Sequence, residues 1–518
     1  MLSRAFLPLF ACLLLGCPGG NGAIGDTCGG DEDCASALQC VASVCVPRCQ
    51  RAAECGDGYA CSADGQCVAA TGENGDACHS EVECGAGLAC RLDGSSVDDA
   101  NLLTASCATE NAGKPAISAC TSDEDCRNGT CALGRCVDLC VSLRDCASGT
   151  KCMTVPRVEA PANGALFAAC LPTRGNLTWS IPVTSPAAEI LLPVPSEARS
   201  ATVVFAVDDA AQRVGAARIL DPEGVQRYTR PCEPNSTGGL CTAEAAQTAY
   251  FANAIRHLPE PGQSVLQLPS SSAAPLVAGA YRINVSSFRS NGAPGSAIPR
   301  VTAVLRMSTG TALDLHFHFL DLADHPCAAA FNDATLDAAH AKDAPFFQTG
   351  FLGELRTIFA NAGNITIDQQ TYADVLDQPD LDGLDVTDAD ALFSLGTHAT
   401  GVDIYFVRSL SPVGLQAFGP NPGPGGIAGT RQSGIAIAVD TLCYRTWPQV
   451  ARLTAHEIAR YMGLYHNVEL EVTEQPTWRD GITDSDSSSQ NLMFFSELGG
   501  SMLSPGQRDI LTRSTVLH

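Results

Sequence analysis

The chain has 518 residues, 45% of them hydrophobic, and a formal net charge of −25. That length holds about three domains and enough apolar material for a sizeable core. Lysine occurs only at Lys114, Lys151 and Lys342; so acidic a balance excludes phosphate-backbone recognition, which needs basic patches, and no nucleic-acid partner is expected.

In chain order, Arg4 precedes an apolar run from Ala5 to Leu15, too short for a membrane span, and Leu14-Leu15-Gly16-Cys17 closes it. That tetrapeptide resembles the bacterial lipobox. The resemblance implies cleavage before Cys17, a diacylglycerol group on Cys17 and attachment to the membrane through that lipid alone. Residues 1–17 are then a lipoprotein signal with its lipidated cysteine. Pro18 in place of an aspartate implies the outer membrane by the usual sorting pattern. An ordinary export signal with an incidental cysteine is the alternative.

Residues 18–27 form a Gly-rich tether. With Cys12 and Cys17 set aside, 24 of the 26 cysteines remain, an even number that reads as disulfides in an exported chain. Twenty of them fall in residues 28–170 and repeat. One unit runs Cys28, Cys34, Cys40, Cys45, Cys49, Cys55, Cys61, Cys67. Another runs Cys120, Cys126, Cys131, Cys136, Cys140, Cys146, Cys152, Cys170, and a shorter one, Cys78, Cys84, Cys90, Cys107, lies between. Asp-Glu-Asp precedes Cys34 and Cys126 alike. Zinc ribbons need paired C-x₂-C knuckles, which are absent here. The spacing resembles Dickkopf-like or EB-like repeats, small modules stapled because they bury too little apolar surface. A rigid stalk is the expected role, with a protein-binding module as the alternative.

Residues 171–308 keep only Cys232 and Cys241, a local pair, and alternate in short strands at 201–207, 264–268, 280–285 and 301–306, punctuated by Pro and Gly. This pattern predicts a β-sandwich. Asp221-Pro-Glu-Gly and Ala278-Gly-Ala-Tyr resemble the sandwiches that accompany secreted peptidases, implying a spacing or presenting role.

Residues 309–518 mix periods. Strands are predicted at 313–322, 365–367, 402–407 and 434–439, and a helix carries Phe347, Phe351, Leu355 and Ile358 on one face before Asn361-Ala-Gly363. His316 and His318 share one face of the first strand, a spacing that can bind metal, but no third ligand is evident nearby. Asp380 to Asp390 gathers five carboxylates in what reads as a solvated acidic loop, out of register for an EF-hand though compatible with a structural Ca2+. Gly419 to Gly426 lacks the lysine and helix of a phosphate cradle. Cys327 and Cys443 are expected to pair.

The chemistry concentrates in His456-Glu457-Ile458-Ala459-Arg460-Tyr461-Met462-Gly463-Leu464-Tyr465-His466, or H-E-x-x-R-x-x-G-x-x-H. Thr446-Trp-Pro-Gln449 predicts a capping box at the start of its helix. Ala451, Ala455, Ile458 and Met462 predict its buried stripe, and Gly463 its exit. Asn491-Leu-Met493-Phe494 follows, and Ser504-Pro-Gly-Gln507 opens a last helix.

The motif resembles the long zinc signature of metzincin metallopeptidases, and the order of elements resembles the pappalysin-like or cytophagalysin-like members over roughly the last 210 residues. The resemblance implies an α+β catalytic domain, His456 and His466 as Zn2+ ligands, Glu457 as general base and Met493 as the Met-turn floor. It departs at Arg460, which stands where the second histidine ligand belongs. A guanidinium stays protonated and cannot coordinate metal. A +2 ion and a +1 group about 4 Å apart repel by about 8 kcal/mol at an effective dielectric of about 20. At i+3 from Glu457, Arg460 is spaced for an ion pair instead. Asp480, Asp484 or Asp486 are the alternative source of a third ligand, and Tyr461 and Tyr465 lie close enough in sequence to approach the site.

The expected protein is a surface-anchored bacterial lipoprotein with a degenerate zinc site, weak or empty, holding peptides or proteins without cutting them. An active zinc endopeptidase with Glu457 as base is the first alternative. A structural or adhesive protein served by its Cys-rich repeats is the second.

Overall fold

The computed structural model describes residues 23 and 25–518, apart from 36–37, 42, 56–57, 63–64, 99–101, 159–163, 234–240, 321, 323–324, 332–334, 421, 426, 469–478 and 497–498. Cys17 and the signal at residues 1–17 therefore lie outside the described residues, as does most of the tether. The chain is multidomain in character: a disulfide-rich N-terminal region, then two β-sheets, then a mixed sheet with helices. Among the described residues no helix is long and apolar enough to cross a membrane.

The described cysteines form twelve disulfides. In the repeats they resolve into five four-cysteine modules, each pairing first with third and second with fourth, as in Cys28–Cys40 with Cys34–Cys45 and Cys120–Cys131 with Cys126–Cys136. The longer sequence units are thus two modules each. An acidic residue stands just before the second cysteine of every module. Its carboxylate accepts the backbone N–H four residues back: Asp33 from Gly29, Glu54 from Gln50, Glu83 from His79, Asp125 from Thr121 and Asp145 from Val141, at 2.7–2.9 Å. The acidic residue closes the turn that positions the two cysteines, which explains the last aspartate of the repeated Asp-Glu-Asp. Cysteine groups close enough to hold a metal are these same disulfide sulfurs.

Next come β1 (Asn176–Ile181), β2 (Ala187–Val194), β3 (Ser200–Ala206), β4 (Arg213–Leu220), β5 (Gln226–Thr229), α1 (Ala243–Ala252), β6 (Glu260–Pro261), β7 (Gln263–Leu268), β8 (Gly279–Phe288) and β9 (Arg300–Arg306). One sheet has the order β1-β9-β3-β7 and the other β2-β8-β4-β5, with β6 beside β4. Alternate residues Ala201, Val203 and Phe205 of the first sheet share a core with Val214, Ala216, Ile219 and Ile283 of the second. The predicted strands are present, shifted by about a residue, and Cys232–Cys241 forms; α1 was not foreseen. Met153, Val155, Phe167 and Leu171 of the last Cys-rich module enter the same core, so that module is packed against the sheets.

The other face of β3, β7 and β9 carries Ser200, Thr202, Gln267 and Arg306, polar by sequence yet fully buried. The C-terminal part covers them. Thr202 Oγ1 meets Thr515 Oγ1 at 3.0 Å, Arg306 donates to the Ser514 carbonyl at 3.0 Å and to those of Thr512 and Gly310, and Gln267 Nε2 donates to the Met462 carbonyl at 2.9 Å.

That C-terminal part contains β10 (Ala312–Leu320), α2 (Leu352–Asn361), β11 (Thr366–Val375), β12 (Val402–Val407), β13 (Ala417–Phe418), β14 (Ile435–Ala438), α3 (Trp447–Tyr461) and α4 (Pro505–Thr512). The sheet order is β11-β10-β12-β14-β13, parallel except for the antiparallel edge strand β13. Phe317 and Phe406 of the sheet pack with Phe347, Phe351 and Trp447 beneath α2 and α3. Phe346–Phe351 is a π-turn leading into α2 rather than its first α-helical turn. Cys327 pairs with Cys443.

The acidic stretch corrects an expectation. It is not a loop but a helical turn, a short strand and a second helix, Pro379–Asp382, Gly383–Asp385 and Ala389–Phe393, although Asp380, Asp385 and Asp388 are solvent-exposed as expected. Its carboxylates are dispersed: Asp382 pairs with Arg408, Asp390 with Arg431, and Asp385 accepts the Thr387 N–H.

Candidate metal centre

Helix α3 is built as its sequence dictates. Thr446 and Gln449 form the capping box, with the Thr446 N–H donating to Gln449 Oε1 at 2.9 Å, and Pro448 sits in the first turn. Ala451, Ala455, Ile458 and Met462 are fully buried against the sheet. The helix stops at Gly463, whose φ of +108° favours glycine. A Cβ there would also lie 2.2 Å from Gln267 Nε2, so the sheet-borne glutamine leaves no room for any other residue.

After this glycine the chain reverses and brings His466 back beside the helix. The His456 and His466 rings stand 5.2 Å apart between centroids. His456 Nδ1 bonds the Leu492 carbonyl at 2.7 Å, which fixes the ring and leaves Nε2 as the nitrogen with a lone pair. Leu492 belongs to the turn around Met493. Met493 is fully buried, its N–H donates to Asn491 Oδ1 at 2.8 Å, and its carbonyl accepts the Asn467 N–H at 3.0 Å. Asn491 in turn donates to Gln507 Oε1 at 2.9 Å, the residue that closes the capping box of α4.

The centre is desolvated. Burial, with His466 and Arg460 nearby, pushes the His456 imidazole down to about 3, so the ring is neutral at physiological pH. Burial also raises the Glu457 carboxyl, against the opposing pull of Arg460 and then His466. Arg460 Nη1 lies 3.3 Å from Glu457 Oε2. Gly419 comes close on the far side, where a Cβ would stand 3.2 Å from Glu457 Oε2, and a Cβ on Gly423 would meet the Tyr461 ring at 2.2 Å. The Gly-rich stretch therefore lets the backbone approach α3.

The residues present do not fit a zinc ion. Two imidazoles converge, but the third position on the helix face carries a guanidinium without a lone pair. Its Nη1 is engaged by Glu457, and its Nε is buried with no hydrogen-bond partner among the described residues. None of the three aspartates takes the missing role. Asp480 is buried against Ile482 and Gln507, Asp484 accepts from Ser504 and the Gly506 N–H, and Asp486 accepts the Ser488 N–H. Tyr461 is buried in the core, and Tyr465 donates to the Arg256 carbonyl at 3.1 Å.

A cleft of about 250 Å³ opens over His456, Glu457, Arg460 and His466, with residues 414–418 on one wall and Phe495, Ser496, Gly499 and Gly500 on the other. Beyond Arg460 and His466 lies a second hollow of about 950 Å³, walled by Tyr250 and Phe251 of α1, Glu260, Arg431 and Tyr465. Burial raises Glu260 to about 7, with the Gln432 amide and Arg460 opposing it. Sequence reasoning missed this hollow, since its walls come from two parts of the chain some 200 residues apart, and no local pattern joins Glu260 to Arg460.

No protein-family model matches the chain, and no curated protein matches it.

Proposed function

We propose that the C-terminal part is a metzincin-type metallopeptidase-like domain whose zinc centre has lapsed, and that it binds peptides in its cleft without hydrolysing them. The single observation that carries this is the Arg460–Glu457 pair at 3.3 Å. One residue removes a metal ligand, adds a fixed cation beside two imidazoles and engages the carboxylate that would serve as base. Support for the ancestry comes from the H-E-x-x-R-x-x-G-x-x-H helix, the glycine-driven return of His466, the buried turn at Met493 beneath His456, and the antiparallel edge strand β13 along the cleft.

The cleft suits an extended peptide. β13 ends the sheet order, so its outer side offers backbone groups to a further strand. Arg460, the neutral His456 and His466 beside it supply polar contacts at the centre. In this reading the chain is displayed on the envelope through Cys17, and the Cys-rich modules and sheets hold the cleft away from the surface.

The test sets wild type beside R460H and R460H/E457A, using a fluorogenic peptide library with added zinc and, separately, peptide binding. Peptide binding without cleavage in wild type, with cleavage in R460H that disappears in R460H/E457A, supports the reading. Wild-type cleavage lost in E457A would replace it with an active endopeptidase. Neither binding nor cleavage in folded protein would leave the structural, Cys-rich role.

A further inference from the structure

A second cluster of ligand-type side chains lies on the sheet face opposite α3. Phe317 of β10 and Ile404 of β12 point into the core beneath α3, so their neighbours His316, His318 and Asp403 point the other way. The segment before β12 brings His398 to the same place. His318 Nε2 and His398 Nδ1 both reach a single oxygen, Asp403 Oδ1, at 2.7 and 2.8 Å. Asp403 and His318 are buried, while the His398 side chain is 30% exposed.

We propose that His318, His398 and Asp403 bind a divalent transition metal of the zinc and cobalt class. Two imidazoles and a carboxylate are the nitrogen and oxygen donors such ions take. With bonds of about 2.0–2.1 Å, a tetrahedral ion holds neighbouring ligands about 3.3 Å apart. Each nitrogen already stands within about half an ångström of that spacing from Asp403 Oδ1, and the three donors come from two adjacent strands and one short loop. The partly exposed His398 edge supplies an entry path from solvent.

His316 has the supporting role. Its ring stacks on His398 at 3.6 Å and 4°, and its own nitrogens are held at 2.9 Å by Thr371 Oγ1 and the Thr400 carbonyl. Tyr405 stacks on His318 from the other side at 4.6 Å. Both ligand rings are thus oriented by packing before any ion arrives, as a bound metal requires. In contrast with the centre on α3, the donors here include no guanidinium.

The experiment is Co2+ titration of the full chain, followed by the visible absorption of tetrahedral cobalt, with circular dichroism to check folding. About one equivalent should give the band in wild type and equally in H456A/H466A, since the two sites are separate. H398Q and D403N should each weaken binding more than about tenfold, a loss seen even when residues behind a ligand are removed. H398Q, altered at a partly exposed position, decides the matter alone if D403N fails to fold. No band in folded wild type, a band undiminished in H398Q, or a band lost in H456A/H466A would each overturn the proposal; the last would also contradict the lapsed centre on α3.

Discussion

Arg460 Nη1 and Glu457 Oε2 lie 3.3 Å apart on one face of α3, one turn from each other, with Glu457 almost wholly buried. Each charge offsets the burial of the other. Glu457 alone would be a desolvated carboxylate, and Arg460 alone a cation facing two imidazoles.

A double-mutant cycle measures that dependence. R460M should destabilise the protein, and R460M in the E457Q background should cost less, leaving a coupling of about 1–2 kcal/mol. Urea denaturation midpoints of the four proteins give the value. Additive effects would mean that the pair contributes nothing.

A third imidazole on this face of α3 should create a metal site. R460H is expected to hold about one zinc more per chain than wild type, because three imidazoles on this helix and return complete a tetrahedral set with water. Metal analysis of the two proteins side by side reads the difference, so an ion bound elsewhere does not confuse it. Equal metal content would show that the cleft no longer has zinc geometry.

Arg306 ties the polar face of the first sheet to the chain's end. It is completely buried and donates to the carbonyls of Gly310, Thr512 and Ser514. R306M leaves one buried and two half-buried carbonyls without their donor and should cost about 2–3 kcal/mol, the scale for leaving buried polar groups unsatisfied. The expected readouts are a lowered melting temperature and earlier protease cleavage after residue 500. A change under about 1 kcal/mol would mean that water replaces the guanidinium.

Asp480 predicts a pH dependence with a definite sign. Burial raises its carboxyl from 3.8 to about 6, so between those values the folded state binds the proton that the unfolded state releases. Its contribution is fully present below pH 3.8, falls as pH rises to about 6, and is constant above. The fall is on the order of 3 kcal/mol at most. D480N, which keeps an acceptor for the Ile482 N–H, should flatten the stability profile over that window; an unchanged slope would assign it to other groups.

Much of the site was legible because its signals are local. A capping box, an i, i+4 face and a glycine exit are dictated by a few successive residues, so α3 and the return of His466 follow from sequence, as does the i+3 pairing of Arg460 with Glu457. The alternation of the sandwich strands was equally local. What covers each face was not. Ser200, Thr202, Gln267 and Arg306 are polar, and only the docked C-terminal part buries them. The His316 and His318 pair was visible, but its partner Asp403 lies 85 residues from His318, on a neighbouring parallel strand. The first-with-third and second-with-fourth pairing of cysteines likewise needed the folded modules, because spacing alone permits other connectivities.

By itself, then, the sequence determined the helix, its caps and the arginine at i+3 from Glu457, since each rests on residues within a few positions of one another. Tertiary structure alone decided that the aspartates near Met493 serve other partners, that two distant parts of the chain wall a hollow beside the centre, and that two histidines and an aspartate meet behind it. Those are contacts between distant segments, and they exist only once burial of the apolar faces has fixed how sheets and helices stack.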